Sequence, residues 1–97
     1  MKRYHVRILP AAERDLDAIL AYLRSFSAAA SEKYQRELIE GILSLETFPL
    51  RCPPARDALL AEKGYRYLIV EHYLIFLLTD GDTVKIRRIL DGRSNYL

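Results

Sequence analysis

Apolar and polar positions follow two different periods along this 97-residue chain. Residues 4–9 alternate, which is typical of a short, half-buried strand, and Pro10 ends the alternation. From residue 11 apolar side chains recur every three or four positions, which predicts an amphipathic helix to about residue 23. A second helix is predicted from about residue 28 to 47, with Ser27 as its N-cap. The two stripes consist of Leu16, Ile19, Leu20 and Leu23, and of Tyr34, Leu38, Ile42 and Leu45.

An irregular segment, residues 49–64, separates the helices from three strand-like runs. Its three prolines oppose a long helix or a central strand, and residues 55–63 fit either one helical turn or the end of a strand. The runs cover residues 65–70, 73–79 and 83–90, joined by Glu71-His72 and by Asp80-Gly81-Asp82, a favourable hairpin turn. The middle run, "YLIFLLT", is apolar on both faces, as expected for a central strand that is covered twice.

The predicted element order is therefore β-α-α-β-β-β. This order favours a two-layer α+β domain, with a helical hairpin packed on one face of a mostly antiparallel four-stranded sheet. Residues 1–97 are short enough to form a single domain. We expect the helix stripes to be buried against Ile75, Leu77, Val84 and Ile86, which leaves the other face of the sheet partly open to a partner.

Composition restricts the class of protein further. Apolar residues make up 51% of the chain and the net charge is only +2, so a core is possible and strong overall attraction to polyanions is not expected. Apolar runs stay well short of the ~20 residues of a membrane helix, and the first residues do not resemble a signal peptide. A single cysteine, Cys52, allows no internal disulfide, which favours the reducing cytoplasm.

Basic residues are concentrated near both ends of the chain. Residues 1–9 carry three cations and no acid, and residues 85–97 carry four cations against Asp91 alone. If the first and last strands are neighbours, these side chains gather into one basic pole; otherwise they are scattered, solvated charges. The cations are Lys2, Arg3, Arg7, Lys85, Arg87, Arg88 and Arg93.

Few residues indicate a cofactor or a metal site. His5 and His72 lie far apart and lack the spacing of metal ligands, so neither a metal nor any other cofactor is predicted. Cys52 has no paired histidine and is interpreted as an inert thiol. Strand alternation places Arg66 on the face opposite its two tyrosine neighbours, and it places Arg87 and Arg88 on opposite faces.

Four stretches taken in order resemble the RelE/ParE superfamily of bacterial toxins. They are "AAERDLDAILAYL", the helix end "LETFPL", "EHYLIFLLTD" and "VKIRRILDGRSNY", which together span nearly the whole chain. The resemblance implies the toxin of a type II toxin–antitoxin module, silenced by a small cognate antitoxin and independent of membranes. It also implies that the first strand lies beside the last, which would form the basic pole.

The resemblance leaves the cellular target open. RelE-like members cut messenger RNA on the ribosome, whereas ParE-like members poison DNA gyrase and have no nuclease activity. Carried over from nuclease members, the central-strand arginine falls on Tyr73 and the C-terminal histidine on Asp91, while Arg93 matches a charged position. An ionised aspartate would repel a phosphate. A ParE-like binding toxin is therefore preferred, with a RelE-like endoribonuclease or a degenerate, non-toxic member as alternatives.

A rearranged nuclease site also remains open. Its candidate residues are Arg93, Arg88, Arg66 and Tyr96, with a guanidinium to stabilise the charge that develops on phosphate. We further expect the basic pole, through Arg88 and Arg93, to bind an acidic and apolar segment of the antitoxin in a salt-sensitive manner.

Overall fold

A computed structural model describes residues 2–93, and it confirms the predicted α+β architecture. Two long helices precede a short helix and the three late strands. The elements are β1 (His5–Ile8), α1 (Pro10–Arg24), α2 (Ala28–Ser44), a 3₁₀ turn (Pro49–Arg51), α3 (Ala58–Glu62), β2 (Arg66–Val70), β3 (Tyr73–Asp80) and β4 (Thr83–Asp91).

The sheet has the strand order β1-β4-β3-β2. The late strands form an antiparallel meander, whereas β1 pairs with β4 in parallel, with Val6 opposite Val84 and Ile8 opposite Ile86. The expectation that the first strand lies beside the last is therefore confirmed. β1 and β2 lie at opposite edges of the sheet, and the helical hairpin with the segment after it carries the chain from one edge to the other.

One face of the sheet, here called the helix face, packs against α1 and α2. Leu38, Ile42 and Leu45 are fully buried there against the four predicted sheet residues, Ile75, Leu77, Val84 and Ile86. On α1, Leu20 is also buried. The other three residues of its apolar stripe, Leu16, Ile19 and Leu23, are only half-buried. The opposite side is here called the open face, and Leu60 of α3 lines a cavity there together with Phe76 and Leu90.

Local signals explain where most helices begin and end. The Ser27 hydroxyl accepts a hydrogen bond from the Ala30 amide, which confirms the predicted N-cap. Residues 45–47 form turns rather than the predicted end of α2, and Phe48 then adopts a left-handed conformation with φ of 46° before Pro49 begins the 3₁₀ turn. Asp57 accepts bonds from the amides of Leu59 and Leu60, so the helical alternative holds for α3.

The regular alternation of β4 fails in its middle. Val84 and Ile86 are buried, but the next buried residue is Ile89 rather than residue 88. The register of β3 and β4 shifts between Phe76 and Leu77, where Leu77 pairs with Ile86 and Phe76 with Arg88. Arg87 is the extra residue of this β-bulge. The prediction that Arg87 and Arg88 point to opposite faces is therefore wrong, because both are exposed and line the same cavity.

Candidate functional site on the open face of the sheet

The open face carries an apolar cavity of about 590 Å³ with two arginines in its wall. It lies where β4, the start of α1 and the end of α3 meet. An apolar recess with few polar groups is the usual form of a binding site. Its lining residues are Leu9, Pro10, Ala11, Leu60, Tyr65, Phe76, Arg87, Arg88 and Leu90.

Arg88 is held by a carboxylate from α1. Its Nε lies 2.6 Å from Asp15 Oδ2 and its Nη2 lies 3.0 Å from Oδ1, which is a bidentate pair. The same Oδ2 also accepts the Ile89 backbone N–H at 2.9 Å. The pair fixes Arg88 to the scaffold, since two parallel charge-assisted bonds define one geometry.

Arg66 braces the proline-containing segment instead of facing a site. Its Nη1 donates to the carbonyl of Cys52 at 2.6 Å and approaches the carbonyl of Leu50 at 3.3 Å. Cys52 itself is buried, and burial raises the pKa of its thiol, in agreement with an inert cysteine. Arg66 lies on β2 opposite Leu77, so its side chain belongs to the helix face.

Arg93 and Asp91 neutralise each other at the end of β4. Arg93 Nη2 lies 2.9 Å from Asp91 Oδ2, and Arg93 Nε lies 3.1 Å from Oδ1. The hydrogen bond from Arg93 lowers the pKa of Asp91 to about 2. His72 Nε2 stands 3.9 Å from the same carboxylate. A carboxylate with this pKa stays ionised at neutral pH and does not act as a general acid.

Tyr73 points into the core. It is 5% exposed and packs edge-on against Tyr34 of α2, with ring centroids 5.9 Å apart. Burial raises the pKa of its hydroxyl. Since position 73 belongs to the helix face and pairs with Asp91 of β4, an arginine placed there would be largely buried beside Tyr34 and the Asp91–Arg93 pair.

The structure thus places the sequence-predicted candidates at different locations. Arg66 lies on the helix face, Arg88 lies beside Asp15 in the cavity wall, and Arg93 lies at the end of β4. Tyr96 lies outside the described residues. Among residues 2–93, no group of three His, Cys, Asp or Glu side chains has the geometry of a metal site.

The two basic ends do meet, but acids offset much of their charge. Arg3 pairs with Glu46, and Lys85 pairs with Asp80, each at 3.2 Å. Within residues 2–93, Arg87 has no carboxylate partner, and its guanidinium lies over the ring of Tyr65 at 5.8 Å from the centroid. Sequence reasoning selected Arg88 and passed over Arg87. The spacing of Val84, Ile86 and Ile89, which departs from strict alternation, was the signal that could have indicated the bulge.

Comparison with known families gives one match over most of the chain. The family model described as the ParE toxin of the type II toxin–antitoxin system parDE matches residues 6–96. A search of curated proteins finds no match.

Solved structures with the same fold come from toxin–antitoxin systems. A chain of the chromosomal ParDE system from P. aeruginosa is 18% identical, with a TM-score of 0.77, over 92% of this chain and 96% of that one. A chain of the toxin–antitoxin complex RelBE2 from Mycobacterium tuberculosis is 25% identical, with a TM-score of 0.63, over 92% of this chain and 91% of that one. None of the described helices is both long and apolar enough to span a bilayer.

Proposed function

The chain belongs to the ParE toxin family of type II toxin–antitoxin systems, and we propose that within such a system it arrests growth by binding a protein target such as DNA gyrase and is silenced by a cognate antitoxin. The antitoxin would place an apolar segment that carries acidic residues in the cavity of the open face. The observation that carries the choice of a binding toxin is the Asp91–Arg93 pair, which occupies the end of β4 where a nuclease needs a free acid and a free cation.

The chemistry of the cavity supports an antitoxin of this composition. Nine residues line the cavity, and the seven that are not arginines are apolar or aromatic. Arg87 adds a positive charge that no described carboxylate offsets. An occupant with branched apolar side chains beside a carboxylate would bury apolar area and pair with Arg87. Electrostatic attraction of this kind also accelerates association and makes it sensitive to salt.

A binding mode of action is favoured over messenger cleavage by the state of the candidate catalytic groups. Cleavage needs an acid for the leaving oxygen and a cation for the charge that develops on phosphate. Asp91 is held ionised, and the guanidinium of Arg93 is already paired with it. Arg66 and Arg88 are committed to backbone carbonyls and to Asp15. Cleavage would therefore require several of these pairs to separate.

Induced expression tests the mode of action. Wild type, Arg93→Ala and Arg36→Ala are induced in parallel, and ribosome-bound messenger is mapped by primer extension while supercoiling is measured on purified gyrase. Arg36 lies on the exposed side of α2 and controls for the loss of one surface arginine. We expect growth arrest and inhibited supercoiling, with no codon-phased cuts.

Phased cuts in the wild type that disappear in Arg93→Ala would overturn the binding mode and identify a ribosome-dependent endoribonuclease. No arrest with any soluble variant would identify a non-toxic family member. Arrest without either cuts or an effect on supercoiling would exclude gyrase and leave another protein target.

A further inference from the structure

Two consecutive arginines of β4 line the same cavity, although consecutive residues of a strand normally face opposite sides. The bulge at Arg87 causes this arrangement, because it inserts one residue between the pairs Leu77–Ile86 and Phe76–Arg88. Bulges commonly re-aim a side chain in this way. The position of the bulge therefore decides how many cations the cavity contains.

Asp15 holds β4 in place immediately after the bulge. The parallel strand β1 ends at Ile8 opposite Ile86, so β4 has no strand neighbour on that side beyond this point. The Asp15 carboxylate fills the gap by accepting the Ile89 N–H at 2.9 Å. Its side chain is only 15% exposed, so a lost partner would leave a largely desolvated donor or acceptor. Asp15 thus does for Ile89 what a backbone carbonyl of a longer β1 would do.

Arg88 balances the charge of Asp15. Its two bonds to the carboxylate, at 2.6 Å and 3.0 Å, direct the guanidinium towards α1. A largely buried carboxylate would otherwise repel an acidic ligand from the cavity. Arg88 therefore links β4 to α1, and it neutralises the negative charge of Asp15 in the wall of the cavity.

Arg87, unlike Arg88, is not paired with a carboxylate among the described residues. It is exposed, and its guanidinium lies over the ring of Tyr65, 5.8 Å from the centroid. A guanidinium on an aromatic face keeps its N–H groups directed outward, where they can form a fork with a carboxylate. Tyr65 and Phe76 provide apolar surface beside it.

We infer that Asp15 is a positioning residue that holds the bulge, and that Arg87 rather than Arg88 is the specificity-determining cation of the cavity, which recognises a carboxylate next to an apolar side chain of the antitoxin. This inference rests on the proposed function, since it names the chemistry by which the same cavity selects its occupant. The charge complementarity is specific, because Arg87 is the arginine of the wall that no described acid neutralises.

A small probe tests the cavity without the antitoxin. Anilinonaphthalene sulfonate combines aromatic rings with one anion, and its fluorescence reports binding to the wild-type protein. We expect Arg87→Ala to weaken binding about tenfold, as for the loss of one charge-assisted bond. Arg36→Ala, in the helix layer, should bind as the wild type does. Equal binding by Arg87→Ala would overturn the role of Arg87.

Two substitutions of Asp15 test its positioning role. An asparagine can still accept the Ile89 N–H, whereas alanine cannot. Hydrogen exchange at the Ile89 amide should therefore stay slow in Asp15→Asn and become fast in Asp15→Ala. A protected Ile89 amide in Asp15→Ala would overturn the claim that this carboxylate holds the strand. Asp15→Asn also keeps the test valid if the alanine variant fails to fold.

The effect of Asp15 on binding should depend on Arg87. We make these variants in an Arg88→Ala background, so that loss of Asp15 releases no second guanidinium into the cavity. There we expect Asp15→Ala to weaken probe binding several-fold while Arg87 is present and to have almost no effect once Arg87→Ala is added, because the cation that it positions is already gone. Additive losses would overturn the positioning role. The same variants titrated with the antitoxin separate the two proposals: an antitoxin that does not bind the wild type refutes the proposed partner, whereas one that binds all variants equally refutes only this inference.

Discussion

At Gly41 helix α2 lies close to the sheet, and replacement of this glycine tests the packing of the two layers. A methyl group at position 41 would stand 2.6 Å from Val70 Cγ2 and 3.6 Å from Leu68 Cδ2. Carbon atoms in contact prefer about 3.5–4.0 Å, so α2 or β2 must move by about 1 Å. Val70 cannot easily turn aside, because a β-branched side chain has few allowed rotamers.

Two opposing terms set the size of the effect. Overpacking a core position costs ~1–3 kcal/mol. Alanine in place of glycine within a helix stabilises by about 1 kcal/mol. The expected result for Gly41→Ala is therefore a net loss of about 1 kcal/mol in the free energy of unfolding, measured by urea denaturation with an unchanged m-value.

A second background makes the test sharper. Val70→Ala removes the atom that the new methyl group would meet. In that background Gly41→Ala should stabilise by up to about 1 kcal/mol, since only the helix-propensity term remains. The sign of the substitution should therefore reverse between the two backgrounds. Stabilisation of similar size in both would refute close packing of α2 on β2.

Three further outcomes follow from the fold and the end of β4. Leu20→Ala should cost ~2–5 kcal/mol in urea unfolding, because Leu20 is buried, and a cost near zero would mean that the stripe of α1 faces water. Glu71→Asn should raise the free energy of unfolding by about 1 kcal/mol, because Glu71 has φ of 55°, a region that asparagine tolerates better; an unchanged value would contradict that strain. The pKa of Asp91 is lowered from 3.8 to about 2, so its stabilising contribution is present above pH 3.8 and is lost as the pH falls towards 2. Arg93→Ala should flatten acid unfolding in that window, whereas an unchanged profile would show that the pair contributes nothing.

The sequence predicted those features that depend on local pattern. The helix stripes, the cap at Ser27 and the turn at Gly81 follow from the spacing and conformational preferences of neighbouring residues, and all are present in the structure. The parallel pairing of β1 with β4 came from the family resemblance, and it is also confirmed.

The features that failed depend on contacts that are distant in sequence. Asp15 holds the bulge at Arg87 by accepting the Ile89 N–H, although it lies 74 residues before Ile89 in the sequence. Strand alternation does not include such a contact, so it placed Arg87 and Arg88 on opposite faces. Arg66 is committed to the Cys52 carbonyl in a loop whose path the prolines did not determine. The direction of Tyr73 was not predicted, because β3 is apolar on both faces and its pattern does not show which residues face the helices.

Calorimetric titration with the product of the adjoining reading frame measures whether Arg87 recognises the antitoxin. Wild type and Arg87→Ala are titrated at low and at moderate salt. We expect that the wild type binds, that salt weakens this binding, and that Arg87→Ala loses about tenfold in affinity together with part of the salt dependence. Binding that is insensitive to salt and unchanged by Arg87→Ala would contradict this expectation, and so would a wild-type protein that does not bind at all.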